Sequence, residues 1–525
     1  MTAEGDPYPA TDERGGPSAW RTVDAVARRA RDAPDATALV DAPTGKRVTY
    51  AELDRAVGET VGRLAALGIE PGDNLGVVME TRPATVRVVH AAARLGAVLV
   101  GLNVRDTPAA VAEAADRADV TALVCGREAE DLAAAAARET AGSLPVASVD
   151  AAGDPEVTAL GDRDPAAVDP HRWGLADPRT ILFTSGTTGE PKPVVLTAGN
   201  LLASATASAF RLGVVPGDRW YCALPTYHMG GLAPLVRSAL YGTAVVVGRT
   251  ADGFDPERVH DRAADHGATA ISLVPTQLRR ILDARNGVPD SLRFVLLGGG
   301  PVPEDLVRRC DRLGVPVAPT YGTTETASQI ATVRPGETAD HPDSVGRPLP
   351  VTEVRVVGPD RTERPPGEPG AIEVAGPTVT PGYYGTPAAT AEAFDGRWFL
   401  TGDRGVLGED GRLSILGRTD DLITTGGETV SPQTVRDALV ELAGIEDAAV
   451  VGIEDPEWGE RVAVLVVPAP DADPSTEDVM EGSRDRLAGY ERPKTVAFAD
   501  ELPRTPSGTV DREAVRGAIR ERTEG

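Results

Sequence analysis

Between residues 74 and 102 apolar and polar positions follow a strand–helix–strand rhythm. LGVVM reads as a buried strand, Pro83 opens the helical stretch ATVRVVHAAARLG, and AVLVGL follows the glycine as a second strand. The rhythm returns as TAVVVG (243–248), a helix near 256–266 and TAISLVP (269–275). It returns again as RFVLLGGG (293–300), a helix near 303–313 and VPVAPTYG (315–322). Such units build parallel sheets, because the crossover helix brings the chain back to run in the same direction. Their repetition predicts an α/β fold of doubly wound layers.

The pattern then changes. Residues 127–172, rich in Ala, Asp, Gly and Pro, read as an acidic helix followed by a loose connection. From about 345 to 416 it shortens to EVRVVG, GAIEVAG and GRLSILG, which predict a β-rich subdomain. After Arg418 come a helix (432–443), the strands AAVVGI and RVAVLVV, a helix (476–488) and an Arg/Pro-rich tail. That set suits a separate small α+β domain. The expected organisation is a large N-terminal domain of two doubly wound subdomains plus the β-rich one, residues 1–419. A small mobile C-terminal domain, 420–525, follows it.

A chain of 525 residues, 41% hydrophobic and 25% charged, has material for two or three folded domains. Its net charge of −26 has the wrong sign for gripping nucleic acid or an anionic membrane. Any phosphate ligand must be held by a local arrangement, against the field of the whole surface. Cys125, Cys222 and Cys310 lie far apart without metal-ligand spacing, so neither a disulfide framework nor a zinc site is expected. No secretory leader or membrane-length apolar run is seen, which predicts a soluble cytoplasmic protein. Only Lys46, Lys192 and Lys494 are lysines among 53 basic residues. Excess carboxylate with scarce lysine suits a salt-rich cytoplasm, where a Debye length of about 3 Å at 1 M screens self-repulsion. A GC-rich genome also favours arginine over lysine.

The strongest local signal is ILFTSGTTGEPKPVV, residues 181–195. An apolar strand runs into Thr184, Ser185, Gly186, Thr187, Thr188 and Gly189, then Lys192. Hydroxyls and backbone N–H groups in a glycine-rich turn surround an anion, and the lysine adds a point charge. The spacing is not that of a Walker loop. Further on lie PTYGTTET (319–326), FLTGDRG (399–405) and GRTDDLITTGGETVSPQTV (417–435).

In this order and at these separations the segments resemble the adenylate-forming superfamily, which includes acyl-CoA synthetases, firefly luciferases and peptide-synthetase adenylation domains. The resemblance implies that loop 184–192 holds the β- and γ-phosphates of ATP. It implies that Gly298, Gly299 and Gly300 let the nucleotide approach the backbone, with Tyr321 stacking on adenine beside Gly322. Thr324 would contact the α-phosphate region and Glu325 would hold Mg²⁺. Asp403 would accept hydrogen bonds from the ribose, Arg418 would stand nearby, and Asp420 would be the hinge. CoA is then the thiol co-substrate. Lys192, His228, Thr324 and Glu325 form the implied catalytic set.

WYCALPTYHMGGLAPLVRSALYGTAVVV (220–247) looks like the o-succinylbenzoate–CoA ligases of menaquinone biosynthesis. There the substrate carries a second, spectator carboxylate. His228 would line the acyl pocket, and Arg237 is a lone cation in an apolar helix-like run. A charge-assisted bond from either would recognise the spectator carboxylate. The competing expectation for Arg237 is a side chain snorkelling from an amphipathic helix. Another aryl or acyl acid is the alternative substrate. A peptide-synthetase module is less expected, for want of a carrier domain.

Two positions depart from the family. Its small domain ends in PRTxSGK, whereas this chain reads PRTPSGT, with Thr509 at the lysine's place. Pro193 follows Lys192 where glycine is usual, removing one backbone N–H. Three readings of Thr509 stand: a nearby cation (Lys494, Arg504 or Arg512) substitutes, adenylation is slow, or the protein binds nucleotide without catalysis. The intact ATP, Mg²⁺ and hinge motifs favour the first.

Overall fold

The structure is a computed structural model. It describes residue 22 and residues 24–523, apart from 143, 185–190, 250–252, 422, 426–427, 457, 471, 485 and 505–509. By compactness the chain divides into two units: 1–299 with 306–354 and 374–399, and 300–305 with 355–373 and 400–525.

The first unit holds two mixed sheets. The eight-stranded sheet runs, in spatial order, Gly382–Tyr383, Pro193–Thr197, Pro178–Phe183, Val98–Gly101, Asn74–Val78, Val120–Cys125, Val146–Ser148 and Thr158–Ala159. The nine-stranded sheet runs Arg347–Pro348, Ala331–Thr332, Val317–Tyr321, Phe294–Leu297, Ala270–Leu273, Arg219–Cys222, Ala244–Val247, Thr37–Asp41 and Arg47–Thr49. Their central strands pair in parallel, as the βαβ rhythm predicts. Those strands are apolar runs rather than alternating ones because helices cover both faces. Helices Tyr50–Ala66, Pro83–Leu95 and Met229–Tyr241 share one core with both sheets, through Val57, Leu64, Val88, Leu232, Leu99 and Val245.

Residues 127–172 are less loose than their composition predicts. After helix Glu130–Glu139, the strands Val146–Ser148 and Thr158–Ala159 extend the eight-stranded sheet. Two or three residues suffice for strands at this end of a sheet, too few to show a period. Short strands between 353 and 418 form the expected β-rich segment, a five-stranded sheet.

In the second unit, strands Ile445–Asp455 and Gly459–Pro468 form a long hairpin. Its alternation serves two faces: Val462, Val464 and Val466 pack toward helix Pro432–Val440, while Ala463, Leu465 and Val467 pack toward Val515 and Ile519. The tail is therefore structural. Thr495–Phe498 adds a parallel strand and Arg512–Thr523 is a helix, its apolar stripe hidden among charges in the sequence. The helix expected to reach 488 stops at Gly482, where the Ser483 hydroxyl donates back to the Met480 carbonyl.

Candidate functional site

Strands Pro178–Phe183 and Pro193–Thr197 are antiparallel neighbours, with Phe183 opposite Pro193. The Ser/Thr/Gly segment therefore closes a hairpin at the carboxyl end of a strand that also pairs in parallel with Val98–Gly101. Carboxyl ends of such strands are where α/β sheets bind ligands. Thr184 and Lys192 fasten the mouth of this loop: the Thr184 amide donates to the Lys192 carbonyl at 3.1 Å, and the Lys192 amide to Thr184 Oγ1 at 3.2 Å. Ser185, Gly186, Thr187, Thr188 and Gly189 lie outside the described residues.

Lys192 and Glu325 are far apart in sequence, and Tyr383 joins them. The Lys192 ammonium lies 5.2 Å from the centre of the Tyr383 ring, a cation–π distance. The Tyr383 hydroxyl donates to Glu325 Oε1 at 3.1 Å. Tyr383 is 5% exposed and Glu325 9%. The sequence reading missed Tyr383; its one signal was the aromatic pair in PGYYG, inside a stretch read simply as β-rich. Its position is fixed by Gly382–Tyr383 joining strand Pro193–Thr197 as an edge, and by the Thr380 amide donating to the Glu325 carbonyl at 2.6 Å.

Glu325 sits in the one-turn helix Thr324–Thr326, just past strand Val317–Tyr321. Gly322 is obligatory there, since a Cβ would stand 1.6 Å from the Ser328 carbonyl oxygen. The adjacent parallel strand, Phe294–Leu297, leads into Gly298, Gly299 and Gly300. A Cβ on Gly298 would lie 2.7 Å from Thr320 Cγ2. Gly298 and Tyr321 thus leave neighbouring strand ends, a bare backbone shelf beside an aromatic ring. Oε1 of Glu325 is engaged by Tyr383. Among the described residues Oε2 has no hydrogen-bond partner and could take a hard cation; one carboxylate with substrate phosphates is how Mg²⁺ is commonly held. Among the described residues no group of three or more His, Cys, Asp or Glu forms a metal cage.

His228 caps helix Met229–Tyr241 with its backbone, and its ring meets Tyr227 edge-on at 4.8 Å. Burial, reinforced by the Arg105 charge, pushes its imidazole below the usual range. In the ligand-free protein this environment disfavours the imidazolium, and an acid bound beside it would act against that burial. An NMR titration should place its midpoint below 6.5; a midpoint above 6.5 would contradict this environment.

Arg237 does not snorkel. It is 2% exposed, because its helix is buried among the first unit's core residues, and Nη2 donates to Ser204 Oγ at 2.9 Å.

In the second unit, Asp403 and Arg418 face each other across a hairpin, with Nη1 and Oδ1 3.6 Å apart. Asp403 is 8% exposed, and the Arg418 Nε is buried without a hydrogen-bond partner among the described residues. Asp420 lies in the short turn Thr419–Asp421. Of the cations weighed against Thr509, itself outside the described residues, Arg504 pairs with Asp447 at 3.1 Å. Arg512 pairs with Asp421, and burial with the Arg516 and Arg418 charges pulls its guanidinium to about 10. Lys494 is exposed.

Residues 26–384 match the AMP-binding enzyme family, and 435–509 match the AMP-binding enzyme C-terminal domain. The chain belongs to the AMP-binding enzyme family. Among its curated relatives is the 2-succinylbenzoate–CoA ligase of Geobacillus kaustophilus, 37% identical over 504 residues, which cover 94% of this chain and 97% of that one. The o-succinylbenzoate CoA synthetase (MenE) of Bacillus subtilis, solved with the acyl-adenylate OSB-AMP, superposes with a TM-score of 0.86 at 31% identity, covering 95% and 98%. The same enzyme has been solved with ATP and magnesium. ATP-bound MatB of Rhodopseudomonas palustris gives 0.85 at 30% identity, covering 94% and 98%. In this AMP-binding enzyme no helix among the described residues is long and apolar enough to cross a membrane.

Proposed function

We propose that this AMP-binding enzyme is an ATP-dependent acid–thiol ligase. It converts o-succinylbenzoate and CoA to o-succinylbenzoyl-CoA through an acyl-adenylate, releasing AMP and diphosphate. The observation carrying the nucleotide half is the Lys192–Tyr383–Glu325 arrangement, which sets a cation over the ring and a carboxylate at the hydroxyl of one buried phenol. Loop 184–192 holds the β- and γ-phosphates, Thr324 the α-phosphate region, and the Gly298–Gly300 shelf with Tyr321 and Gly322 the base. Asp403 and Arg418 are the ribose-side pair. Mg²⁺, held by Glu325 when bound, offsets charge on the departing diphosphate.

A carboxylate is a poor acyl donor, and attack on the α-phosphorus exchanges its leaving group for AMP. The protein's share is positioning and charge, supplied by preorganised N–H groups and by Lys192. Residues 1–419 and 420–525 are our functional division, with Asp420 as the hinge that serves adenylation and then thiolysis. Carboxylate excess with three lysines supports activity in concentrated salt.

The fold leaves the acid open, because MatB and the Bacillus subtilis enzyme superpose almost equally well. The names of the curated relatives favour o-succinylbenzoate. Pyrophosphate release screened across o-succinylbenzoate, benzoates, malonate and fatty acids tests the choice. Selectivity of at least about 10³ for the dicarboxylate is expected if its second carboxylate meets a dedicated donor. Release driven equally by benzoate would point to another acid.

A further inference from the structure

Arg237 carries its charge into the core, where among the described residues no carboxylate meets it. The electrostatic neighbour acting on it is Tyr241, whose phenol burial keeps neutral. Its Nη2 donates to Ser204 Oγ, and that hydroxyl spends its own proton on the Ala327 carbonyl at 2.6 Å. Ser204 is also buried. The acceptor at the end of this relay is unusual backbone: Ala327 has φ +52° and Ser328 φ +112°, both left-handed without being glycine. Such conformations persist only where surrounding contacts over-determine them. Ala327 directly follows the one-turn helix that carries Glu325.

We infer that Arg237 and Ser204 are positioning residues for the nucleotide site: the guanidinium polarises the Ser204 hydroxyl, which pins the Ala327 carbonyl and the left-handed bend that aims Glu325. The inference rests on reading Glu325 as the Mg²⁺ carboxylate. It differs from the expectation that Arg237 touches the acid itself. A hydrogen bond to an ionised donor's partner is strengthened through the chain, so losing either member weakens the same carbonyl contact.

The test uses Ser204→Ala and Arg237→Met in the full chain. Arg237→Met should fold, since an apolar replacement of a buried cation of similar length removes a desolvation cost, and it keeps the test open should Ser204→Ala, which strips Arg237 of its partner, fold poorly. The first readout is hydrogen exchange in ligand-free protein. The Ala327 and Ser328 amides, which donate to the Thr324 and Thr323 carbonyls at 3.1 and 3.3 Å, should exchange about tenfold faster in both variants. The second is pyrophosphate exchange titrated with Mg²⁺. Half-saturation should rise about tenfold, with the KM for the acid changed less than about twofold.

A rise in the acid KM alone, with exchange at 327–328 and the Mg²⁺ response unchanged, would overturn the inference and place Arg237 against the acid. Faster exchange throughout the molecule, without a selective effect at 327–328, would overturn it as a merely structural role. Wild-type protein lacking acid-dependent pyrophosphate release would instead void the proposed reaction, and the ligand-free exchange result would still report on the relay.

Discussion

Glu325→Gln should slow acyl-adenylate formation by about 10²–10³, the usual cost of removing one group that stabilises transition-state charge. The substitution is nearly isosteric. The Tyr383 hydroxyl can still donate to the amide oxygen, and the Thr380 amide still donates to the residue 325 carbonyl, so the turn survives. What disappears is the negative charge that attracts the cation to the phosphates. Pyrophosphate exchange should therefore fall at fixed Mg²⁺ and recover partly as Mg²⁺ is raised. Thioester formation from supplied acyl-adenylate should change little, because no diphosphate leaves in that step. A loss below about fivefold, or an equal loss in both half-reactions, would remove Glu325 from its assigned place.

Thr509→Lys should act in the opposite direction and speed adenylation by at least about tenfold, with about 10²–10³ as the ceiling if a full donor is restored. The ion pairs of the second unit weigh against the substituting cation that the intact motifs favour and toward slow adenylation. Arg504 is held by Asp447 and Arg512 by Asp421, so two of the three cations that might replace a lysine are already engaged. Of those three cations Lys494 is the lysine, and it is exposed. The gain should appear in pyrophosphate exchange and be absent from thiolysis of supplied adenylate. If exchange is unchanged, a resident cation already supplies the charge, and Lys494→Ala in the parent chain should then abolish adenylation.

Much of this architecture was legible because it is written in long periodic signals. The runs LGVVM, TAVVVG and RFVLLG, each tied to a helix, specified parallel strands, and the structure has them at Asn74–Val78, Ala244–Val247 and Phe294–Leu297. Short elements were not legible. The strands Val146–Ser148 and Thr158–Ala159 span three and two residues, and the helix Arg512–Thr523 hides two buried positions among ten polar or small ones. Loop 184–192 and Glu325, the proposed phosphate and Mg²⁺ groups, stand out as local motifs. Tyr383 does not, because its role depends on a strand pairing about 190 positions away with Pro193–Thr197 and on a turn elsewhere. Arg237 shows the same limit: a lone arginine in an apolar helix reads as a snorkelling side chain or as a ligand. Only the fold reveals that it ends on Ser204, and Ser204 on Ala327.

In the proposed reaction the acid's own oxygen displaces diphosphate from ATP. The direct measurement is isotope transfer: o-succinylbenzoate labelled with ¹⁸O in its succinyl carboxylate, incubated with the protein, MgATP and CoA, and the nucleotide product analysed by mass spectrometry. AMP should carry one ¹⁸O for each thioester formed, since thiolysis leaves the bridging oxygen on phosphorus. Unlabelled AMP, or ADP in its place, would contradict it.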